Sequence, residues 1–181
     1  MRKVISRARS LLSRLVGFAR PPITLGNDLR PVRAEDAWQR LVSESCRRLE
    51  RERFEWDSMD PAVMAASTRP ALRQLFPVWS MFRSLSFSRC TNYPHSADLP
   101  RIRRKASDDF VYDVCAALPD GRVLGSGDAD YVADLVVQHL PPDCGPALVG
   151  SVKDLAAQIA EKEGVPVAEV LNRLCPRARR Q

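Results

Sequence analysis

The sequence has few of the residues from which metal and redox sites are built. Its 181 residues include two histidines and five cysteines, and no two cysteines stand in C-x-x-C spacing. An odd number of scattered cysteines in a chain without a secretory signal is typical of free thiols in a reducing cytoplasm. We therefore expect five free thiols, no bound metal and no cofactor.

Long hydrophobic runs are also absent. A membrane-spanning helix needs about 20 consecutive apolar residues, and no stretch of this chain comes near that length. Ser13 and Arg14 interrupt the apolar residues near the start, where a secretory signal would be continuously apolar. These absences predict a cytoplasmic protein, for which any membrane attachment is peripheral and at the inner face of the cell membrane.

Acidic residues are missing from the first 27 positions. Residues 1–33 hold eight basic side chains against Asp28, a net charge of +7, whereas the whole chain sums to +6. Residues 34–181 therefore carry −1, and −4 without the three arginines of a basic tail over 176–181. Because the basic character belongs to the two ends, we do not expect the body to bind nucleic acid.

The basic front of the chain has the pattern of an amphipathic helix. Drawn at about 100° per residue, residues 2–20 place nine apolar side chains within one arc of roughly 160°, opposite the basic and small polar residues. Pro21 and Pro22 end this helix, because proline lacks an amide hydrogen and disfavours helical geometry before it. The sequence predicts a basic amphipathic helix over 1–20 and a linker over 21–33.

Four interpretations of this helix compete: a membrane-surface helix, an organellar transit peptide, a basic arm for nucleic acid, and a helix packed on its own domain. A nucleic-acid arm needs charge but no apolar face. A transit peptide directs a protein to an organelle, so a bacterial origin would exclude that interpretation. We favour an anionic membrane surface or an acidic protein groove, because either of them uses both faces of the helix. The residues expected to make this contact are Arg2, Lys3, Arg7, Leu11, Leu12, Arg14 and Leu15.

Helical spacing of apolar residues dominates the first half of the body, as far as Pro77. Asp60 followed by proline is typical of a helix N-cap and first helical position. The predicted helices are 34–56, 60–66 and 68–76.

From about residue 84 the period changes to 2, which is typical of strands. Residues 110–118 form the clearest strand, because they are dense in β-branched and aromatic residues. The predicted fold is α+β: a small antiparallel β-meander of three to four strands flanked by helices, in a single domain over 34–175. Its other strands are predicted near 84–90, 101–105 and 122–126, and its later helices begin after Asp128, Ser151 and Pro166.

Two stretches of the body carry a family resemblance. Residues 72–102, LRQLFPVWSMFRSLSFSRCTNYPHSADLPRI, and residues 121–150, GRVLGSGDADYVADLVVQHLPPDCGPALVG, resemble an uncharacterised actinobacterial family labelled as natural-product biosynthesis proteins. The resemblance extends over roughly 38–155. It implies a small cytosolic α+β protein of bacterial specialised metabolism, and it implies no known activity and no catalytic residue.

Two groups of residues have the composition of a reactive site. Cys144 follows His139 by five residues, and a nearby imidazole can activate a cysteine by lowering the pKa of its thiol. A packed loop cysteine is the simpler interpretation, because a histidine near a helix C-terminus is favoured by the helix dipole anyway. The second group contains carboxylates that could form an acid–base pair: Asp108, Asp109, Asp113, Asp128, Asp130 and Asp134.

Cys90, His95 and Asp98 are a weak set of metal ligands. A stable zinc site usually takes three or four nitrogen or sulfur ligands, so the sequence predicts no metal site. The same region offers a candidate polar groove, formed by a hydroxyl-rich strand face beside a turn-rich loop, with a solvated sheet face as the competing interpretation. The groove residues are Ser84, Ser86, Arg89 and Tyr93.

These observations favour a non-enzymatic accessory or interaction protein of bacterial specialised metabolism. The sequence contains no complete set of residues for an activated nucleophile, a metal site or a cofactor site, so no catalytic residue is predicted. The expected partner is an anionic membrane surface or an acidic protein. The alternative is a small enzyme of natural-product biosynthesis that uses Cys144 or the carboxylates of 108–134.

Overall fold

The body of the chain folds as an antiparallel sheet with helices packed on one of its faces. A computed structural model describes residues 33–50, 59–80, 83–105 and 110–176. The predicted helix over 1–20, most of the linker and the last five residues of the tail lie outside these ranges. The described residues confirm the α+β class.

The sheet has five strands, each antiparallel to its neighbours and ordered as in the chain. It is therefore a meander, as the sequence predicts. The strands are β1 (Phe76–Ser80), β2 (Ser84–Ser88), β3 (Arg101–Arg104), β4 (Tyr112–Cys115) and β5 (Val123–Gly127).

The prediction of three to four strands was wrong by one, and the missed strand is β1. Residues 68–76 were assigned to a helix that Pro77 would end, but the helix there is a single turn and the strand begins at Phe76. Pro77 fits within β1 because β1 is an edge strand. An edge strand is hydrogen-bonded to a neighbour on one side only, so it can accommodate a residue without an amide hydrogen. This strand was not predicted because the residues ahead of Pro77 have a helical pattern.

Six helices accompany the sheet in the described part of the chain, and none of them is both long and apolar enough to cross a bilayer. The N-cap predicted at Asp128 is confirmed, because its carboxylate accepts a hydrogen bond of 2.9 Å from the amide of Tyr131. The helices are α1 (Ala34–Glu50), α2 (Asp60–Ser67), α3 (Pro70–Arg73), α4 (Ala129–Gln138), α5 (Val152–Glu163) and α6 (Val167–Leu174).

The main core lies on one face of the sheet. Side chains alternate along each strand, so Leu85, Ile102 and Val114 stand side by side in register, and all three are fully buried. Residues of α1, α2 and α4 join them in one cluster, of which Trp38 is the largest member. The Trp38 indole donates a hydrogen bond of 2.9 Å to the carbonyl of Leu75.

Two glycines of β5 let α4 approach the sheet closely. A Cβ atom at Gly127 would lie 2.4 Å from Cδ1 of Tyr131, and one at Gly125 would lie 2.7 Å from Cδ2 of Leu135. Both distances are far below van der Waals contact, so a side chain at Gly127 would have to displace the Tyr131 ring and one at Gly125 would have to displace the Leu135 methyl group.

A second, smaller core joins α5 and α6 to the loop that follows β2. Cys90 is buried there against Val152, Ala156 and Val170. The predicted stop at Gly164 is confirmed by its φ of 69°, which is the left-handed conformation that glycine adopts at helix ends. This hairpin fixes the loop over 89–99, which borders the candidate site.

Candidate functional site

The face of the sheet opposite the main core is lined by polar side chains. Strand register aligns Ser84 with Arg103 and Ser86 with Arg101, while Asp113 pairs with Arg103 on one side and with Ser126 on the other. Partners in register project to the same side of a sheet. We call these six residues the polar face: Ser84, Ser86, Arg101, Arg103, Asp113 and Ser126.

Asp113 is the buried centre of the polar face, with 7% of its surface exposed. It accepts a hydrogen bond of 2.8 Å from the hydroxyl of Ser126 and one of 3.1 Å from Nη2 of Arg103. Burial alone would raise the pKa of the Asp113 carboxyl, but these two hydrogen bonds and the Arg103 charge outweigh it, so the pKa is lowered. Asp113 is therefore an ion-pair partner rather than a proton donor at neutral pH.

Arg101 differs from Arg103 in having no carboxylate. Its half-buried side chain makes no hydrogen bond or ion pair with any residue that the structure describes. Its neighbours in register are Ser86 on β2 and the fully buried Cys115 on β4. The polar face thus presents a cation flanked by a hydroxyl and without a counter-ion among the described residues.

The predicted polar groove is divided between two places in the structure. Ser84 and Ser86 lie on the polar face, whereas Arg89 turns into the loop that follows β2. Arg89 Nη1 lies 3.3 Å from Asp98 and its Nη2 lies 3.3 Å from Asp143, with 13% of the side chain exposed. Arg89 therefore holds two loops together.

Tyr93, the fourth predicted groove residue, is 86% exposed at the tip of the same loop. Its ring contacts His95 edge-on, with centroids 6.2 Å apart, and His95 stacks on Phe76 of β1 at 5.2 Å. Phe76 pairs with Ser88 and so lies on the same side of the sheet as the polar face. The aromatic groups form the apolar border of that face, which the sequence spacing did not indicate.

Cys144 and His139 are not arranged as a nucleophile and base. Nδ1 of His139 lies 2.9 Å from the carbonyl of Leu135, one helical turn back. Burial raises the pKa of the Cys144 thiol to about 11, and the nearby Arg89 charge only partly opposes this. An activated cysteine has its pKa lowered, so the geometry offers no support for a thiol nucleophile here.

We expect Cys144 to react slowly with iodoacetamide in the folded protein. A thiol pKa of about 11, against an ordinary value of 9.0, lowers the thiolate fraction at pH 8 by roughly a hundredfold. Site-resolved mass spectrometry of alkylation in native buffer and in urea measures the ratio of the two alkylation rates of Cys144. Equal rates in the two conditions would contradict the pKa assignment.

The other sequence candidates have structural partners. Arg69 holds Asp130 and Asp134 at 3.2 and 2.7 Å, and Asp128 caps α4. Asp108 and Asp109 lie outside the described residues. Within the described ranges, no three His, Cys, Asp or Glu side chains are grouped as metal ligands. No disulfide joins any two of the five cysteines, all of which lie in the described ranges, as expected from their scatter: Cys46, Cys90, Cys115, Cys144 and Cys175.

The predicted contact residues of the first helix lie outside the described residues, so the structure places none of them. These are Arg2, Lys3, Arg7, Leu11, Leu12, Arg14 and Leu15.

The chain matches the model of a known protein family. The model of a family described as "Family of unknown function (DUF6193)" matches residues 33–151, well over half of the chain. The chain therefore belongs to this family, which confirms the expectation of an uncharacterised family over this part of the sequence. Comparison with curated proteins and with solved structures finds no match.

Proposed function

We propose that this member of the DUF6193 family is a non-enzymatic accessory or interaction protein that docks reversibly on an anionic membrane surface through residues 1–20. The observation that carries the proposal is the charge and apolar segregation of that segment. Its nine apolar residues occupy one side of the helical projection and its six basic residues the other. An acidic groove of a partner protein offers similar chemistry and is distinguished by the test below.

The chemistry of the described residues supports a non-enzymatic role. The Cys144 thiol is held in its neutral form, and His139 is directed to a backbone carbonyl. The described carboxylates between 108 and 134 cap a helix or pair with arginine. Each candidate reactive group in the described ranges is thus engaged in holding the fold together.

The charge distribution supports docking by the front of the chain rather than by the body. Residues 1–33 carry +7, whereas residues 34–176 carry −4 and would be repelled by an anionic bilayer. Each basic residue near such a bilayer contributes about 1 kcal/mol, so six of them suffice for reversible binding but not for permanent anchoring.

The setting in bacterial specialised metabolism, with an actinobacterial origin, is part of the same proposal. It is supported by the resemblance of residues 72–102 and 121–150 to proteins labelled in that way. A cytoplasmic location, peripheral at the inner face of the membrane, follows from the proposal.

Co-sedimentation with liposomes tests the docking proposal. We expect the full chain to bind anionic vesicles, to bind neutral vesicles much less, and to lose binding as salt rises. A chain that begins at Ala34 should remain in the supernatant. Leu12→Glu should weaken binding about as much as Arg7→Glu combined with Arg14→Glu, because the apolar and the basic face are both needed.

Ser10→Ala is the matched control, because it lies on the same segment and changes neither charge nor the apolar face. Membrane docking is refuted if the full chain stays in solution with anionic vesicles. If removal of residues 1–33 then lowers the melting temperature, the segment packs on its own domain. If it leaves the melting temperature unchanged and abolishes capture of an acidic protein, the groove interpretation replaces the membrane.

A further inference from the structure

The polar face has a charge imbalance at its centre. Two arginines occupy alternate positions of β3, so their Cα atoms are about 7 Å apart on one side of an inner strand. Among the described residues of this face, Asp113 is the one carboxylate, and it is bonded to Arg103 at 3.1 Å. The face therefore has a local charge of +1 on a body whose net charge is −4.

Arg101 carries that unmatched charge. Its guanidinium has five N–H donors in a planar fork, a geometry that suits the paired oxygens of a carboxylate or a phosphate. The Asp113 carboxylate is bonded to Arg103, so it does not neutralise Arg101. A half-buried cation without a partner is more costly than one in water, and an anionic ligand would remove that cost.

The hydroxyl groups of β2 complete a donor set. Ser86 lies directly opposite Arg101 and Ser84 directly opposite Arg103. In-register side chains have Cβ atoms about 5 Å apart, so a ligand oxygen bound to Arg101 is within reach of the Ser86 hydroxyl. Neither serine side chain makes a hydrogen bond with a described residue, and both are half-buried.

Beside these donors lies an apolar border. Val78 of β1 pairs with Ser86, so the order across the sheet is Val78, Ser86, Arg101. Phe76 is two residues before Val78 on the same side and carries the stacked ring of His95. A ligand whose anionic group sits on Arg101 can therefore place an apolar or aromatic portion over Val78 and Phe76.

We propose that the polar face binds a small organic oxyanion, a carboxylate or a phosphate ester, with its charged oxygens on Arg101 and Ser86 and its organic portion toward Val78 and Phe76. Arg103 and Asp113 position the site through their mutual ion pair. This site is independent of the docking proposed for residues 1–20, and either can fail without the other.

The test is a titration of the full chain, labelled with nitrogen-15, with benzoate, phenyl phosphate and inorganic phosphate in turn, at fixed ionic strength. We expect saturable shifts in the amide spectrum that are largest for residues 84–86 and 101–103. The aryl probe with the stronger binding shows whether the natural ligand is a carboxylate or a phosphate. Inorganic phosphate should bind at least several-fold more weakly than phenyl phosphate, because it has no organic portion.

Substitutions locate the binding group. Arg101→Gln should weaken binding of the better probe about tenfold or more, and Ser86→Ala should weaken it by a smaller factor. Arg101→Lys keeps the charge but loses the fork, so it should fall between the wild type and Arg101→Gln. Arg122→Gln is the matched control, because the Arg122 side chain is 73% exposed and is paired with Asp120.

Three results would overturn the proposal: no saturable shift with any probe, equal affinity in Arg101→Gln and Arg122→Gln, or equal affinity of phosphate and phenyl phosphate. Arg101→Lys and Ser86→Ala keep the test decisive if Arg101→Gln fails to fold. Their affinities must then both lie below that of Arg122→Gln.

Discussion

Replacing Trp38 with alanine will lower the free energy of unfolding by about 3–5 kcal/mol, the range for truncating a large buried aromatic residue. Trp38 is fully buried and is the largest side chain of the main core. Its ring lies 6.3 Å from that of Phe87 on β2, and α1 thereby packs against the sheet. Alanine would leave a cavity between the helix and the strands.

A Trp38→Phe substitution separates packing from hydrogen bonding. The smaller ring keeps part of the packing but removes the indole N–H that binds the carbonyl of Leu75 at 2.9 Å. A buried acceptor left without its donor costs about 1–3 kcal/mol, so Phe should lie between the wild type and Ala. Tyr93→Ala is the control, because that ring is 86% exposed and its loss should change stability by less than about 1 kcal/mol.

Urea unfolding followed by far-ultraviolet circular dichroism measures all three variants, because this signal does not depend on tryptophan. The slope of free energy against urea should remain that of the wild type, which shows that the same surface is exposed on unfolding. If Trp38→Ala costs no more than Tyr93→Ala, the placement of α1 on the sheet is wrong.

Local sequence patterns correctly predicted the parts of the fold that depend on neighbouring residues in the chain. The alternation of β2 and the cap at Asp128 are local features, and the structure has both of them. The strand at Phe76–Ser80 was missed because Pro77 is read locally as a helix end. Only the pairing of Val78 with Ser86 identifies this segment as an edge strand, and that pairing is a tertiary contact.

The candidate site was predictable only where it depends on a local sequence pattern. The hydroxyl-rich side of β2 follows from alternation, so Ser84 and Ser86 could be grouped from the sequence. Their arginine partners come from a strand more than a dozen residues away, and its register is not encoded in spacing. Arg89 was grouped with the serines by proximity in the chain, yet a loop carries its side chain to Asp98 and Asp143. The sequence shows where a charged residue lies relative to the end of a strand, but it does not show which residue is its ion-pair partner.

Asp60 shows how a local pattern can be present while a tertiary contact decides the role of the residue. Asp60 before proline predicts an N-cap, but in the structure Asp60 is the first residue of α2 and its side chain makes no cap. Its carboxylate is 1% exposed and is held by Arg48 of α1, with Nη2 at 2.8 Å from Oδ1 and Nε at 3.1 Å from both oxygens. This ion pair fastens α1 to α2.

We expect Arg48→Met to destabilise the protein by about 3–5 kcal/mol, because it leaves a buried carboxylate without its cation. Glu44→Gln is the matched control: Glu44 binds the same arginine at 2.8 Å, but its side chain is 60% exposed. An exposed ion pair contributes about 0–1 kcal/mol, so this variant should remain close to the wild type.

The double variant Arg48→Met with Asp60→Asn identifies the source of the loss. A neutral amide needs no counter-charge, so the double variant should be more stable than Arg48→Met alone, although still less stable than the wild type. The difference between the double variant and the sum of the two single variants gives the coupling energy of the pair. Urea unfolding of the four proteins measures it. If the two single losses add without coupling, Arg48 stabilises the fold through its guanidinium over the ring of Trp79, whose centroid lies 5.9 Å away, and not through the buried carboxylate.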